Sequence, residues 1–288
     1  MNDAAVKERS PWRDLATRSL SAAVMIAATL AALWAGQIVW AIFVIAIYCI
    51  MLWELVRLCE PTAPRRIRWG LAPLPMMFPL LVLAASAFTG VDLMAPASEG
   101  GSRGFFVQGY LGAMIALAAP VLSGTLLLRS GRGLWLGYGS VLAAATLFVA
   151  YAYTEHGWPG LLTLVSIVVI SDTAGYFAGR ALGGPKFWPA ISPKKTWSGT
   201  IAGWVGAGVF GMIALPHFGL PIAAAGLVGV VVCLSAQFGD IAESAMKRRV
   251  GVKDASNLIP GHGGMLDRLD GLVAAACLAG IIAYLTGA

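Results

Sequence analysis

Two stretches near the C-terminal end concentrate the groups able to do chemistry: "GDIAESAMKRR", Gly239–Arg249, and "HGGMLDRLDG", His262–Gly271. On a helix, Asp240, Glu243 and Ser244 share one face, with Lys247 one turn further on; Asp267 and Asp270 are likewise three apart. Upstream, "ISDTAGYFAGR" carries Asp172 inside an apolar run, and "ISPKKTWSG" carries Lys194 and Lys195. Carboxylates alone would repel an anionic substrate, and cations alone would bind phosphates without activating them. Mixed as they are here with Arg248, Arg249, Lys253 and Arg268, they suit phosphate chemistry with a divalent metal. The acids hold Mg²⁺, the metal bridges phosphate oxygens, and Lys and Arg neutralise the rest. "PGHGG" adds Gly263 and Gly264 as flexible N–H donors of an anion-binding nest. His262 is assigned to phosphate contact.

These groups must be positioned by an unusually oily chain. Of 288 residues, 58% are hydrophobic and 12% charged, against about 25% charged in soluble domains. Lipid is therefore the main solvent, and apolar runs of the length that crosses ~30 Å of hydrocarbon recur. Nine are read, over 19–36, 38–56, 70–91, 106–128, 134–153, 160–179, 199–216, 221–239 and 270–286. Gly36-Gln37 reads as a hairpin turn, and three prolines in "LAPLPMMFPLL" predict a broken or kinked third span. The first span is too long and lacks the small-residue site of a cleaved signal. Cys49, Cys59, Cys233 and Cys277 show neither paired nor metal spacing and read as small apolar side chains. Gly175/Gly179 and Gly199/Gly203 suit close helix contacts.

With the N-terminus cytoplasmic, nineteen of the twenty basic residues fall in inside segments and only Arg103 outside, as the positive-inside rule requires. The expected architecture is an all-α polytopic integral membrane protein of about nine transmembrane helices with its C-terminus outside. Within one membrane domain, 1–18 is a cytoplasmic segment, 19–158 the N-terminal helices and 159–288 the catalytic helices and loops. His156 and His217 fall on short outside loops and read as solvated. Asp172 lies seven residues before the cytoplasmic end of its span at Gly179, roughly 10 Å at the helical rise. It needs a partner or a wet cavity. Plainer readings exist for each acid: a protonated helix–helix contact for Asp172, a complement to the helix dipole for Asp267 and Asp270. The topology nevertheless brings acids from three helices to one membrane face. Arg65, Arg66 and Arg68 also suit anchoring to anionic headgroups.

"SAMKRRVGVKDASNLIPGHGGMLDRLD", Ser244–Asp270, resembles the signature of the phosphatidate cytidylyltransferases (CDP-diacylglycerol synthases), with every fixed position present. "GDIAES" and "SDTAGYFAGR…ISPKKTWSG" extend the likeness over about 170–272. The resemblance implies that CTP and phosphatidic acid give CDP-diacylglycerol and pyrophosphate with Mg²⁺, in phospholipid biosynthesis. It implies Asp240 and Asp267 as metal-site residues; Glu243, Ser244, Lys247, Arg248, Asp270 and Lys194 also match motif positions. On this reading Asp240, Asp267, Lys247, Arg248, Asp270 and Asp172 are catalytic, and Glu243 joins the metal ligands. Lys194, Lys195, Ser244, Lys253, His262, Gly263, Gly264 and Arg268 bind substrate. Where the family usually has a glutamate, this chain has Ser198, so that position is not an essential metal ligand here. The implied setting is a bacterial cytoplasmic (inner) membrane, with the active site on the cytoplasmic side. One or two cations, and a homodimer, are left open; nucleic acid is not an expected partner.

Two other readings are weighed. "DRLDGLVAA" resembles half of the CDP-alcohol phosphotransferase motif, but Ala275 replaces its arginine and no later acid supplies the second pair. A cytidylyltransferase for an ether lipid would share these motifs. An ion-coupled transporter expects polar residues near the midplane of internal repeats; none is evident, and the acids gather at one face.

Overall fold

Apolar segments in lipid can satisfy their backbone polar groups only by closing on themselves as helices, and helices dominate the structure. The computed structural model describes residues 11–81 and 103–286, with side chains at 15–81 and 112–286. Eight α-helices are delimited among the described residues: α1 Pro11–Trp34, α2 Gln37–Cys59, α3 Arg65–Leu71, α4 Arg103–Leu127, α5 Arg132–Leu182, α6 Trp197–Ala214, α7 Ile222–Arg249 and α8 Leu266–Thr286. One-turn 3₁₀ helices occupy Leu74–Met76 and Leu215–Phe218.

Among the described residues, six helical stretches are long and apolar enough to cross a bilayer, with mean hydropathy from 1.5 to 2.4. The chain is therefore a polytopic membrane protein. The expected count of nine is not reached among the described residues, for local reasons. Prolines interrupt the third expected span with a turn and a 3₁₀ helix between α3 and helical residues 77–81; its part at 82–91 lies outside the described residues, as do the first ten residues of the N-terminal segment. The fourth keeps Gly112–Leu127 as a shorter apolar helix. The fifth and sixth run together as α5, 51 residues long. At 1.5 Å per residue α5 would measure about 76 Å if straight, but Gly157 breaks it with φ 63° and ψ −157°, two residues before Pro159. His156 is consequently not in a solvated loop: its ring stands edge-on to Phe218 at 5.3 Å. It lines an apolar cavity of about 110 Å³ with Phe148, Val232 and Ile282.

The expected turn at Gly36 is present, with φ 98° between α1 and α2. An unexpected feature is a small antiparallel hairpin, β1 Lys186–Trp188 and β2 Ser192–Thr196, pairing Lys186 with Thr196 and Trp188 with Ser192. Thr196 then caps α6, its side chain accepting from the Gly199 N–H at 3.3 Å. Ser198, in the first turn of α6, donates to the Gly183 carbonyl at 2.5 Å and so ties the start of α6 to the end of α5.

The first arm of α5 packs with α2 and α4; Trp135 is fully buried and donates to the Val121 carbonyl at 2.8 Å. The second arm, α6, α7 and α8 form the other half. There the helices meet backbone to backbone. A Cβ on Gly199 would lie 2.5 Å from the Gly175 carbonyl, and one on Gly203 3.1 Å from that of Ser171. Between α6 and α7, a Cβ on Gly229 would lie 2.4 Å from the Ala207 carbonyl. The spaced glycines read as packing signals do serve that purpose. Trp204, Gln237, Ser171 and Cys233 add a hydrogen-bonded chain across α5, α6 and α7.

Gly199→Ala should lower the stability of the detergent-solubilised protein by about 1–3 kcal/mol through overpacking, read from its thermal unfolding. Gly137→Ala, whose Cβ would meet nothing within 4 Å, should be neutral or stabilising by under about 1 kcal/mol. Equal melting of the two variants would rule out the α5–α6 crossing described.

Candidate active site

The helix that carries Asp240 continues beyond the end of the expected span at 239. α7 runs on to Arg249, so Asp240, Glu243, Ser244 and Lys247 lie along one continuous helix. α8 packs antiparallel to it, and the crossing is set by a glycine: a Cβ on Gly239 would lie 2.5 Å from the Asp270 carbonyl. Ser235 donates to the Ala274 carbonyl at 2.8 Å one turn away. The register places Asp270 beside Asp240 and Asp267 beside Lys247.

Two charged centres result. In the first, Lys195 of β2 forms an ion pair with Asp240, both side chains partly open to the surroundings. Asp240 and Asp270 are close enough for each to disfavour the other's negative charge, an arrangement that a shared cation or proton relieves. Asp270 also accepts the Gly271 N–H at 2.8 Å. Asp172 stands within electrostatic range of both Lys195 and Asp240 and is exposed rather than locked in a helix contact. In the second centre, Lys247 lies between two acids: it pairs with the fully buried Glu243 and with Asp267 Oδ1 at 2.7 Å. Among the described residues, neither Glu243 oxygen gains a well-directed hydrogen bond. Tyr138 of α5, which the sequence reading passed over, puts a buried hydroxyl without a partner among the described residues within electrostatic range of Asp270, Glu243 and Asp240.

The "PGHGG" loop does something other than form an open nest. Gly264 N–H donates to Asp267 Oδ2 at 2.7 Å, and the amides of Met265 and Leu266 donate to Glu54 of α2 at 2.9 and 2.7 Å. The amides of His262 and Gly263 bond to the Ile259 carbonyl. These donors are therefore already engaged. The two glycines instead permit close approach: a Cβ on Gly263 (φ 88°) would lie 2.8 Å from Asp267 Oδ2, and one on Gly264 2.5 Å from Glu54 Oε1. His262 Nδ1 shares a 2.7 Å hydrogen bond with Ser21 of α1, whose hydroxyl also lies 3.0 Å from the Pro260 carbonyl.

The remaining expected site residues are placed less closely. Arg268 is exposed and holds the His262 carbonyl through Nε at 2.9 Å. Arg248 is exposed and reaches the Val252 carbonyl at 3.3 Å. Lys194 and Lys253 are exposed and pair with no acid among the described residues. Adjacent strand residues face opposite ways, which is why Lys195 meets Asp240 and Lys194 does not. Ser244 is half-buried one turn beyond Asp240.

Among the described residues, no three His, Cys, Asp or Glu side chains form a ready-made metal cage. The donor set still fits Mg²⁺, which binds through one or two carboxylates and takes its other ligands from water and substrate phosphates. Hard oxygen donors from α7 and α8 face each other, and the buried Glu243 oxygens are under-satisfied.

The chain matches the Cytidylyltransferase family over residues 16–286. It is similar to the phosphatidate cytidylyltransferase of Brucella suis biovar 1 (strain 1330), 37% identical over 286 residues, covering 96% of this chain and 94% of that protein. It is also similar to the phosphatidate cytidylyltransferase of Staphylococcus haemolyticus (strain JCSC1435), 32% identical over 191 residues, 64% of this chain and 72% of that protein. A third of that name, from Mycobacterium tuberculosis (strain ATCC 25618 / H37Rv), is 35% identical over 163 residues, 56% of this chain and 47% of that protein.

Lys247→Met removes the cation shared by two buried acids and should cost about 3–5 kcal/mol of stability. Lys195→Met, at a partly open pair, should cost under about 1 kcal/mol. Thermal unfolding in one detergent compares them; similar melting of both variants would show that Lys247 does not bridge Glu243 and Asp267.

Proposed function

The chain belongs to the cytidylyltransferase family, and from that membership we propose that it makes CDP-diacylglycerol from CTP and phosphatidic acid. A phosphate oxygen of phosphatidic acid attacks the α-phosphorus of CTP, the bond to the β-phosphate oxygen breaks, and pyrophosphate leaves. The observation that carries this reading is the meeting of α7 and α8, which sets Asp240 beside Asp270 and Asp267 beside Lys247. The carboxylates would hold Mg²⁺ there, and its positive charge would offset that of the triphosphate and of the departing pyrophosphate. Asp240 and Asp267 are its ligands on this reading, with Glu243 in reserve and Asp270 beside Asp240. Lys195 and Lys247 stand where they can exchange carboxylate for phosphate oxygens. Arg248, Lys194, Lys253 and Arg268 rim the same end as exposed cations, suited to drawing in a polyanion. Ser244 and His262 are assigned to substrate contact. Asp172 faces outward beside Lys195 and marks where the lipid headgroup enters, its acyl chains left in the bilayer. Catalysis is then mainly positioning and electrostatics.

The site faces the cytoplasm of a bacterial cell on this reading, supported by the basic residues that flank it and by the bacterial relatives. Nine crossings, cytoplasmic N-terminus and outside C-terminus remain the topology proposed. The break at Gly157 supports dividing α5 into two crossings, and it falls beside the boundary between 19–158 and the catalytic half 159–288.

Purified protein given labelled CTP, phosphatidic acid and Mg²⁺ should release pyrophosphate and form CDP-diacylglycerol, with dCTP, ATP and GTP as competitors to define the base. No Mg²⁺-dependent pyrophosphate release would reject the assignment. Asp267→Asn should insert normally yet lose at least about 100-fold in turnover, the scale of a lost charge-stabilising group. Near-normal turnover in that variant would remove Asp267 from the metal site.

A further inference from the structure

One buried acid has no part in that reaction scheme. Glu54 lies inside α2, far in sequence from the signature segment, and is 0% exposed. Its Oε1 accepts from the Ser256 hydroxyl at 2.5 Å and the Met265 N–H at 2.9 Å; its Oε2 accepts from the Leu266 N–H at 2.7 Å. Ser256 is itself fastened, its oxygen accepting the Leu258 N–H at 3.1 Å. Asp267 grips the same loop from the other side, through the amides of Gly264 at 2.7 Å and Ala255 at 2.9 Å. Three consecutive amides, 264 to 266, are thus divided between two carboxylates. A buried carboxylate is costly unless donors converge on it, so Glu54 and the loop hold each other in one conformation. The close fit at Gly264, where any Cβ would strike Glu54, leaves the loop little room to relax.

We propose that Glu54 is a positioning residue of the transfer site: by holding the amides of Met265 and Leu266, it fixes the loop amides that orient Asp267 toward the metal. The inference rests on the functional reading above for the identity of that metal. A carboxylate on α2 would thereby set the geometry of a ligand on α8. The rival role is a helix cap that stabilises the fold and leaves metal binding untouched.

Glu54→Gln keeps the shape and places an amide donor against donors. In folded, detergent-purified protein, the Mg²⁺ concentration for half-maximal activity should rise ~10–100-fold, the usual effect of losing a group that orients a ligand. Mn²⁺ binding in the presence of CTP, followed by electron paramagnetic resonance, should weaken by a similar factor. Hydrogen exchange should quicken at Ala255 and Gly264, whose amides bond Asp267 and not Glu54. A folded Glu54→Gln protein with wild-type Mg²⁺ midpoint, Mn²⁺ affinity and exchange at those two amides would overturn the proposal, whatever its melting temperature. If Glu54→Gln does not fold, Ser256→Ala removes one donor and leaves two; a smaller shift in the same direction is expected, and wild-type values on all three readouts would overturn it equally. Failure of the wild type to form CDP-diacylglycerol would instead sink the functional reading, and the exchange measurement would still test the positioning.

Discussion

Asp267 has three partners at once: Lys247 of α7 and the amides of Ala255 and Gly264 in the loop before α8. The arrangement of the site depends on this convergence. An acid in the first turn of an apolar helix has few means of keeping its charge, and here they come from a neighbouring helix and from two points of one loop. Lys247 in turn holds Glu243, and the loop is held from behind by Glu54. Removing one member leaves another buried and uncompensated, so the charged cluster behaves as a unit rather than a set of pairs.

The helices make that convergence feasible by coming close. Where α5 crosses α6, α6 crosses α7, and α7 crosses α8, at least one residue at the contact is glycine. In each case a Cβ would meet a carbonyl oxygen of the neighbouring helix at 2.5 Å or less. In lipid there is no hydrophobic drive to pack one apolar helix on another, so close van der Waals contact must supply it. The same closeness has a chemical consequence. With Gly239 against the backbone of Asp270, the neighbouring Asp240 comes within electrostatic influence of Asp270. Packing and chemistry share one contact.

Much of this was legible along the chain. Long apolar runs force helices, the glycine spacing of four marks close helix contacts without naming the partner helix, and the charged signature marks where chemistry sits. The partners were less legible. Glu54 stands alone in "IMLWELVRL", and the reasoning applied to Asp172, that an acid in an apolar run needs a partner, would have singled it out. It could not have named Ser256, Met265 and Leu266 as the donors, because they lie some 200 residues away. The glycines of "PGHGG" read as an open nest because sequence shows flexible amides and hides the carboxylates that occupy them. Lys194 and Lys195 looked equivalent until a strand, unanticipated in that stretch, turned them to opposite sides.

By itself the sequence determined a helical membrane protein with its acids and bases concentrated in a few segments, because hydropathy and charge act through solvent and need no knowledge of neighbours. It also carried the family signature, since that is a matter of residue order. Only the tertiary structure decided which acid meets which base, that α7 continues past Asp240, and that an acid of α2 closes the loop before α8. Those outcomes depend on where helices cross and in what register, and a crossing is settled by contacts between segments distant in the chain.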